Sequence, residues 1–204
     1  IIKMDTQVEM LLDNILVACP QKIFAKKIKQ IKKKYSFKSK DTMQSIRELC
    51  SLLYIVDQEE LALQVVNLID KLEYKGDMRI WMNVNGVLTV ESLIYAKRGE
   101  NEKVKICRKT IDVYLYYGDE DRQRVNMKVF KRVMNGEGFY LEEIKRAQDS
   151  GDLKLEIFWR FLQCEELLYM RAMGGSEAYP IEKLDSMIEE EKQFIAMHID
   201  KASF

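Results

Sequence analysis

Between Asp77 and Tyr117 the chain carries two long helical patterns separated only by Arg98-Gly99-Glu100-Asn101. In the first, Met78, Trp81, Met82, Asn85, Leu88 and Ile94 recur mostly at spacings of three and four, which places them along one helical face. Gly86 interrupts that face at a cost of about 1 kcal/mol relative to alanine. It reads as a tolerated interior glycine, or as a small residue that lets another helix approach closely. Gly99 stands where a left-handed C-cap is expected, and Asn101 where a side-chain oxygen would cap the next helix. That helix carries Val104, Cys107, Ile111 and Leu115 on one stripe. Two helices joined by so short a break lie roughly antiparallel.

The rest of the chain repeats this design. Only two prolines and nine glycines punctuate it, and no β-hairpin dipeptide is flanked by alternating apolar residues. Residues 4–18 form an amphipathic helix with Val8, Leu11, Leu12, Ile15 and Leu16 on one side, and Pro20 ends it or opens the next. Phe24, Ile28, Ile31 and Tyr35 set the stripe of the second, from Lys22 to Tyr35, and Ser36 to Lys40 reads as a linker. Capping-box spacing at Asp41/Gln44 and Asp57/Glu60 marks two further starts. Ile46, Leu49, Cys50 and Leu53 line the first of these helices, and Leu61, Val65, Leu68, Ile69 and Leu72 the second, with Lys75-Gly76-Asp77 closing the unit. Asp119 starts a helix with Val125, Val129, Phe130 and Val133 inward, and Asn135-Gly136-Glu137-Gly138 breaks it. A short helix from Tyr140 to Gln148, a longer one reaching Met173, a flexible Gly174-Gly175-Ser176 and a final helix after Pro180 complete the chain. The expectation is an all-α fold of about ten helices in a single domain spanning 1–204, with an internal boundary near 136–138 as the alternative. With 47% hydrophobic residues, a chain of this length buries a full core.

Charge is balanced globally and skewed locally. Lys plus Arg and Asp plus Glu number 33 each, yet nine lysines and no acid fall between Lys22 and Lys40. The molecule is therefore a basic patch on an acidic body, with no net charge to draw it to nucleic acid or membrane. Cys19, Cys50, Cys107 and Cys164 are far apart, and most sit in apolar stripes, the pattern of a reducing, cytoplasmic setting. No apolar run reaches the roughly 18 residues of a membrane span. The apolar stretch from Met10 to Cys19 contains Asp13 and Asn14 and lacks the basic start of a signal peptide.

Breaks at Asp57, Gly99 and Gly151 recur at spacings of 42 and 52 residues, the loose mark of stacked helix pairs. The segment Tyr95-Ala96-Lys97-Arg98-Gly99-Glu100-Asn101-Glu102-Lys103-Val104 resembles the middle of a tetratricopeptide repeat: an aromatic four before a turn glycine, acids after it, and a small apolar residue five after it. Ser92, Cys50 and Ala62 match the small positions of that pattern. Glu91 stands where the family has leucine, and no proline closes the unit near Tyr116. The resemblance covers about residues 41–117. It implies a right-handed stack of antiparallel helical hairpins, an α-solenoid whose concave surface binds a partner, and it carries over no catalytic residues.

Chemistry-bearing patterns are sparse. His198 is the only histidine, near the end of the last helix, so neither histidine catalysis nor a zinc site has its ligands at the usual spacing. Glu59-Glu60, Glu142-Glu143 and Glu165-Glu166 are adjacent pairs whose members diverge by about 100° on a helix. No phosphate-cradling loop or nucleophile elbow occurs. The reading is a protein without catalytic residues, cofactor or metal. Its candidate partner-binding residues are Lys26, Lys29 and Lys33 on the basic helix and the aromatics Trp81, Tyr114, Tyr117 and Trp159. The expected activity is binding another protein with an acidic surface, in the manner of an immunity protein that occludes a bacterial toxin. The alternative is a peptide-sensing or nucleic-acid-binding regulator using residues 22–40.

Overall fold

The computed structural model describes residues 4–33, 35, 40–69, 78–113 and 115–204, and for Met78 and Arg79 the backbone alone. Leu72, Lys75-Gly76-Asp77, most of the 36–40 linker and Tyr114 therefore lie outside the described residues. Those residues form ten α-helices: α1 Thr6–Ala18, α2 Lys22–Lys33, α3 Lys40–Ile55, α4 Glu59–Val66, α5 Met78–Lys97, α6 Asn101–Asp112, α7 Glu120–Met134, α8 Leu141–Ser150, α9 Leu153–Ala172 and α10 Ile181–Met197. A 3-10 turn, Ile199–Lys201, follows, and no strand occurs among the described residues.

The three breaks share one backbone solution. Asp57, Gly99 and Gly151 all adopt left-handed φ values, 61°, 72° and 68°. In each turn the residue after the break donates to a carbonyl five positions back: Gln58 to Leu53, Glu100 to Tyr95 and Asp152 to Ala147, at 2.8, 3.0 and 3.0 Å. This double-bonded ending satisfies the last helical carbonyls and reverses the chain. Asp57 takes the left-handed position that aspartate tolerates better than most residues. It is therefore not the N-cap its spacing with Glu60 predicts; Gln58 flanks α4, and the Asp57 carboxylate sits 3.0 Å from Lys192 Nζ on α10. Asn101 likewise lies inside α6, with Glu100 at the cap, and Asp41 falls inside the first turn of α3. Asp5, Asp119 and Asp152 cap α1, α7 and α9, accepting from the backbone N–H of Gln7, Arg122 and Leu155.

Three helices carry the core. α3 packs against α2, α4, α5 and α10; α5 against α3, α4, α6 and α9; α9 against α5, α7, α8 and α10. Met43, Ile46, Leu49, Cys50, Leu52 and Leu53 of α3 are fully buried, as are Ile157, Phe161, Cys164 and Leu167 of α9. Sequential neighbours from α1 to α6 and from α8 to α10 pack on one another, whereas among the described residues α7 packs on neither α6 nor α8; α9 also returns onto α5 and α10 onto α3. The last residues reach back to α2, where Lys26 Nζ donates to the Ser203 carbonyl at 2.6 Å. The ring of Phe204 meets Phe161 and Phe158 at 4.7 and 5.8 Å. The seam between α9 and α10 is fastened by Arg160, which pairs with Glu156 at 2.8 Å and Glu191 at 3.0 Å and lies over the Phe194 ring at 4.2 Å.

α7 departs from expectation. Phe130 and Val133 are half-buried, but Val125 and Val129 are 55% and 45% exposed. This helix has a slender contact with α9 and stands off the body. Met134 at its end reaches the core, and Val129, Phe130 and Val133 border a cleft.

Candidate functional site

The lysine-rich helix divides its cations between inside and outside. Ile23, Phe24, Ile28 and Ile31 face the core, and Lys27 goes in with them. A buried ammonium needs a counter-charge: Lys27 Nζ sits 2.9 Å from Glu48 Oε2 of α3 and over the Phe204 ring at 5.2 Å. Lys22, Lys26, Lys29 and Lys33 recur at spacings of four, three and four on the solvent side, all exposed. Lys26 is tied to Ser203, whereas Lys22, Lys29 and Lys33 have no carboxylate within ion-pair distance among the described residues. Lys33 and Phe158 line one shallow depression, together with Asp41, Gln44 and Phe204.

The aromatic candidates do not converge on that stripe. Trp159 is half-buried in a ladder of rings, stacked on Tyr140 at 5.4 Å and tilted against Phe158 at 4.9 Å. Trp81 is half-buried on α5, Tyr117 is 40% exposed after α6 beside a 64% exposed Tyr116, and Tyr114 lies outside the described residues. His198 ends α10, its ring 4.7 Å from that of Phe194.

A second feature lies in the middle of the molecule. α3, α5, α7 and α9 enclose a cleft of about 340 Å³ walled by Met82, Val90, Val129, Phe130, Val133 and Leu162. Arg47 enters it from α3, donating through Nε to Glu165 Oε2 at 3.1 Å and through Nη1 to Asn83 Oδ1 at 2.8 Å. Ser51, one turn along α3, donates to the same Glu165 oxygen at 2.9 Å. Two glycines make room for this arrangement. A Cβ at Gly86 would lie 2.7 Å from the Arg47 side-chain carbons, and one at Gly138 would lie 2.5 Å from Glu166 Oε1. The close approach that a small residue at 86 permits is thus made by an arginine side chain. The adjacent acids of α9 diverge as helical geometry demands: Glu165 meets Arg47, and Glu166 faces Gly138 with no hydrogen bond or ion pair among the described residues.

Burial sets the protonation of the cleft. It raises the pKa of Glu165, an effect that the Arg47 charge and the Ser51 hydroxyl oppose. Glu166 lacks those partners, and burial together with the neighbouring Glu165 charge pushes it up to about 7. Burial also raises Tyr140, with Glu166 and Glu165 adding to the shift. All four thiols are buried and free; burial raises each, carrying Cys107 to about 12. Among the described residues no three His, Cys, Asp or Glu side chains gather where they would hold a metal, and no helix is long and apolar enough to cross a membrane.

Of Arg47, Glu165, Glu166, Gly86 and Gly138, Arg47 is the one that sequence reasoning passes over; it notes the two glycines and the Glu165-Glu166 pair, but not that they meet. One signal for them is on view: Glu165-Glu166 interrupts an apolar run from Phe161 to Leu168 in the middle of a long helix. An all-helical protein with an ionised, apolar-walled cleft between its central helices is the class that this fold defines. Within that class, the chain belongs to a family described as a family of unknown function, DUF6707, whose model matches residues 1–197. No curated protein and no solved structure matches the chain.

Proposed function

We propose that this chain is a non-catalytic protein-binding module of the cytoplasm, a right-handed stack of antiparallel helical hairpins that captures a protein with an acidic surface. The observation that carries this reading is the exposed stripe Lys22, Lys26, Lys29 and Lys33, of which three members lack an acidic partner among the described residues. Many other charged surface residues among those described are answered by neighbours, as in Lys97–Glu59, Lys105–Glu102, Arg124–Asp121 and Lys145–Asp149. Unanswered like charges on one helical face repel each other mildly and attract an anionic surface from a distance. The hairpin turns at Asp57, Gly99 and Gly151 support the stacked-pair architecture that the tetratricopeptide resemblance implies. An antidote that occludes a bacterial toxin is the particular form of this function that a compact helical binder suits.

The test is capture from native lysate with the purified chain as bait, beside a variant carrying Lys26→Glu, Lys29→Glu and Lys33→Glu. One stoichiometric protein partner, released by salt and lost in the variant, is the expected result. A nucleic acid recovered in its place would shift the function to the regulator that residues 22–40 also fit. A partner retained by the charge-reversed chain would remove α2 as the docking surface.

A further inference from the structure

The cleft between α3, α5, α7 and α9 holds more acceptor than donor. Its ionisable lining consists of Arg47, Glu165, Glu166, Tyr140 and Tyr169; α5 and α7 contribute only uncharged side chains. Arg47 is already engaged by Glu165 and Asn83. Glu166 is engaged by nothing among the described residues. Carboxylates withdrawn from water are normally paired, so an unanswered carboxylate in an apolar-walled cavity marks the place of a missing cation. The surrounding walls of Met82, Val90, Phe130, Val133 and Leu162 call for an apolar body.

We propose that this cleft binds a small organic cation, a primary amine on an apolar chain or ring, with Glu166 as its counter-ion. The cavity, about 340 Å³, is at the compact end of small-molecule sites, which run from about 300 to 1,000 Å³. An anionic ligand is disfavoured because it would meet Glu166 and compete with Glu165 for Arg47. A quaternary ammonium is disfavoured because it has no N–H to donate to Glu166. The rings of Phe130, Tyr140 and Tyr169 in the lining favour a cation over a neutral alcohol of the same shape. The site owes nothing to the α2 lysines and goes beyond the protein-binding reading.

Binding is linked to protonation. Only ionised Glu166 pairs with an ammonium, and burial with the adjacent Glu165 holds its pKa at about 7. Affinity therefore rises with pH through that value and levels off above it, since an alkylamine stays charged throughout. The experiment is calorimetric titration of the full chain with n-hexylamine, with hexanol and hexanoate as matched probes, at pH 8 and pH 5.5. One-to-one binding of hexylamine at pH 8 is expected, at least tenfold tighter than either control and about thirtyfold weaker at pH 5.5, following the ionised fraction. Glu166→Gln is expected to lose at least tenfold in affinity without a lower Tm, while the exposed control Glu182→Gln binds as the parent does. Equal affinity for hexanol or hexanoate, or full affinity in Glu166→Gln, overturns the proposal. Binding of an acetyl-Gly-Lys-Gly-amide peptide but not of hexylamine overturns the free-amine form, because the cation would then belong to a protein.

Discussion

Helix α9 contributes to two clusters of the same composition, one arginine and two glutamates, one shared with α10 and one with α3, and they behave differently. At the α10 seam Arg160 meets both carboxylates, Glu156 at 2.8 Å and Glu191 at 3.0 Å. In the cleft Arg47 pairs with Glu165 alone of the two acids, and Glu166, one residue further on, lies against Gly138. The difference is angular. Glu156 and Arg160 are four apart and share a helical face, whereas adjacent residues on a helix point about 100° apart. Identical charges thus make a fastener in one place and an open acceptor in the other.

The largest effect is expected from breaking the fastener. Arg160→Met strands two nearly buried carboxylates and should lower unfolding free energy by about 3–5 kcal/mol in urea titrations. Replacing Glu156 and Glu191 by Gln as well should recover much of that loss.

The cleft should respond in the opposite direction. Because the pKa of Glu166 is raised from 4.5 to about 7 on folding, its protonated form stabilises the native state below pH 4.5, and that stabilisation is lost as pH rises to 7. Glu166→Gln should therefore leave stability unchanged near pH 4 and raise it by on the order of 2–3 kcal/mol above pH 7. A pH-independent difference between the two proteins would mean that the carboxyl does not titrate there.

A smaller, sign-changing effect concerns Gly86. In the parent chain Gly86→Ala drives a methyl into the Arg47 stem and should cost about 1–2 kcal/mol. In an Arg47→Ala background the obstacle is gone, and the same change should stabilise by about 1 kcal/mol through helix propensity. A double-mutant cycle by thermal denaturation reads this directly. The smallest change is expected at the surface: Lys29→Glu with Lys33→Glu should shift stability by no more than about 0.5 kcal/mol, so that any loss of a partner is a loss of contact and not of fold.

These contrasts also explain what could be read in advance. Helices were legible because apolar spacing and local breaks are short-range facts; the turn at Gly99, the Asp119 cap and the ten-helix count all rest on neighbours within a few residues. Val125 and Val129 misled because periodicity gives a face but not what covers it, and α7 stands off the body. Asp57 misled because its capping-box spacing is real while the backbone there is left-handed. Lys27 was hidden among eight other lysines, since its burial depends on Glu48, 21 positions later. The cleft was illegible for the same reason on a larger scale: Arg47 finds Glu165 across 118 positions, and only the packing of α3 on α5 and α9 brings them together.

The cysteines acquire a use that their chemistry alone would not give them. Cys19, Cys50, Cys107 and Cys164 sit at the end of α1, in α3, in α6 and in α9, with exposures of 3%, 0%, 4% and 0%. A thiol that reacts only when uncovered is a clock for the opening of the helix that carries it. Timed alkylation followed by mass spectrometry would rank four districts of the molecule by how often each breathes. Cys107 and Cys19 should be labelled first, and Cys50 and Cys164 only at the pace of global unfolding.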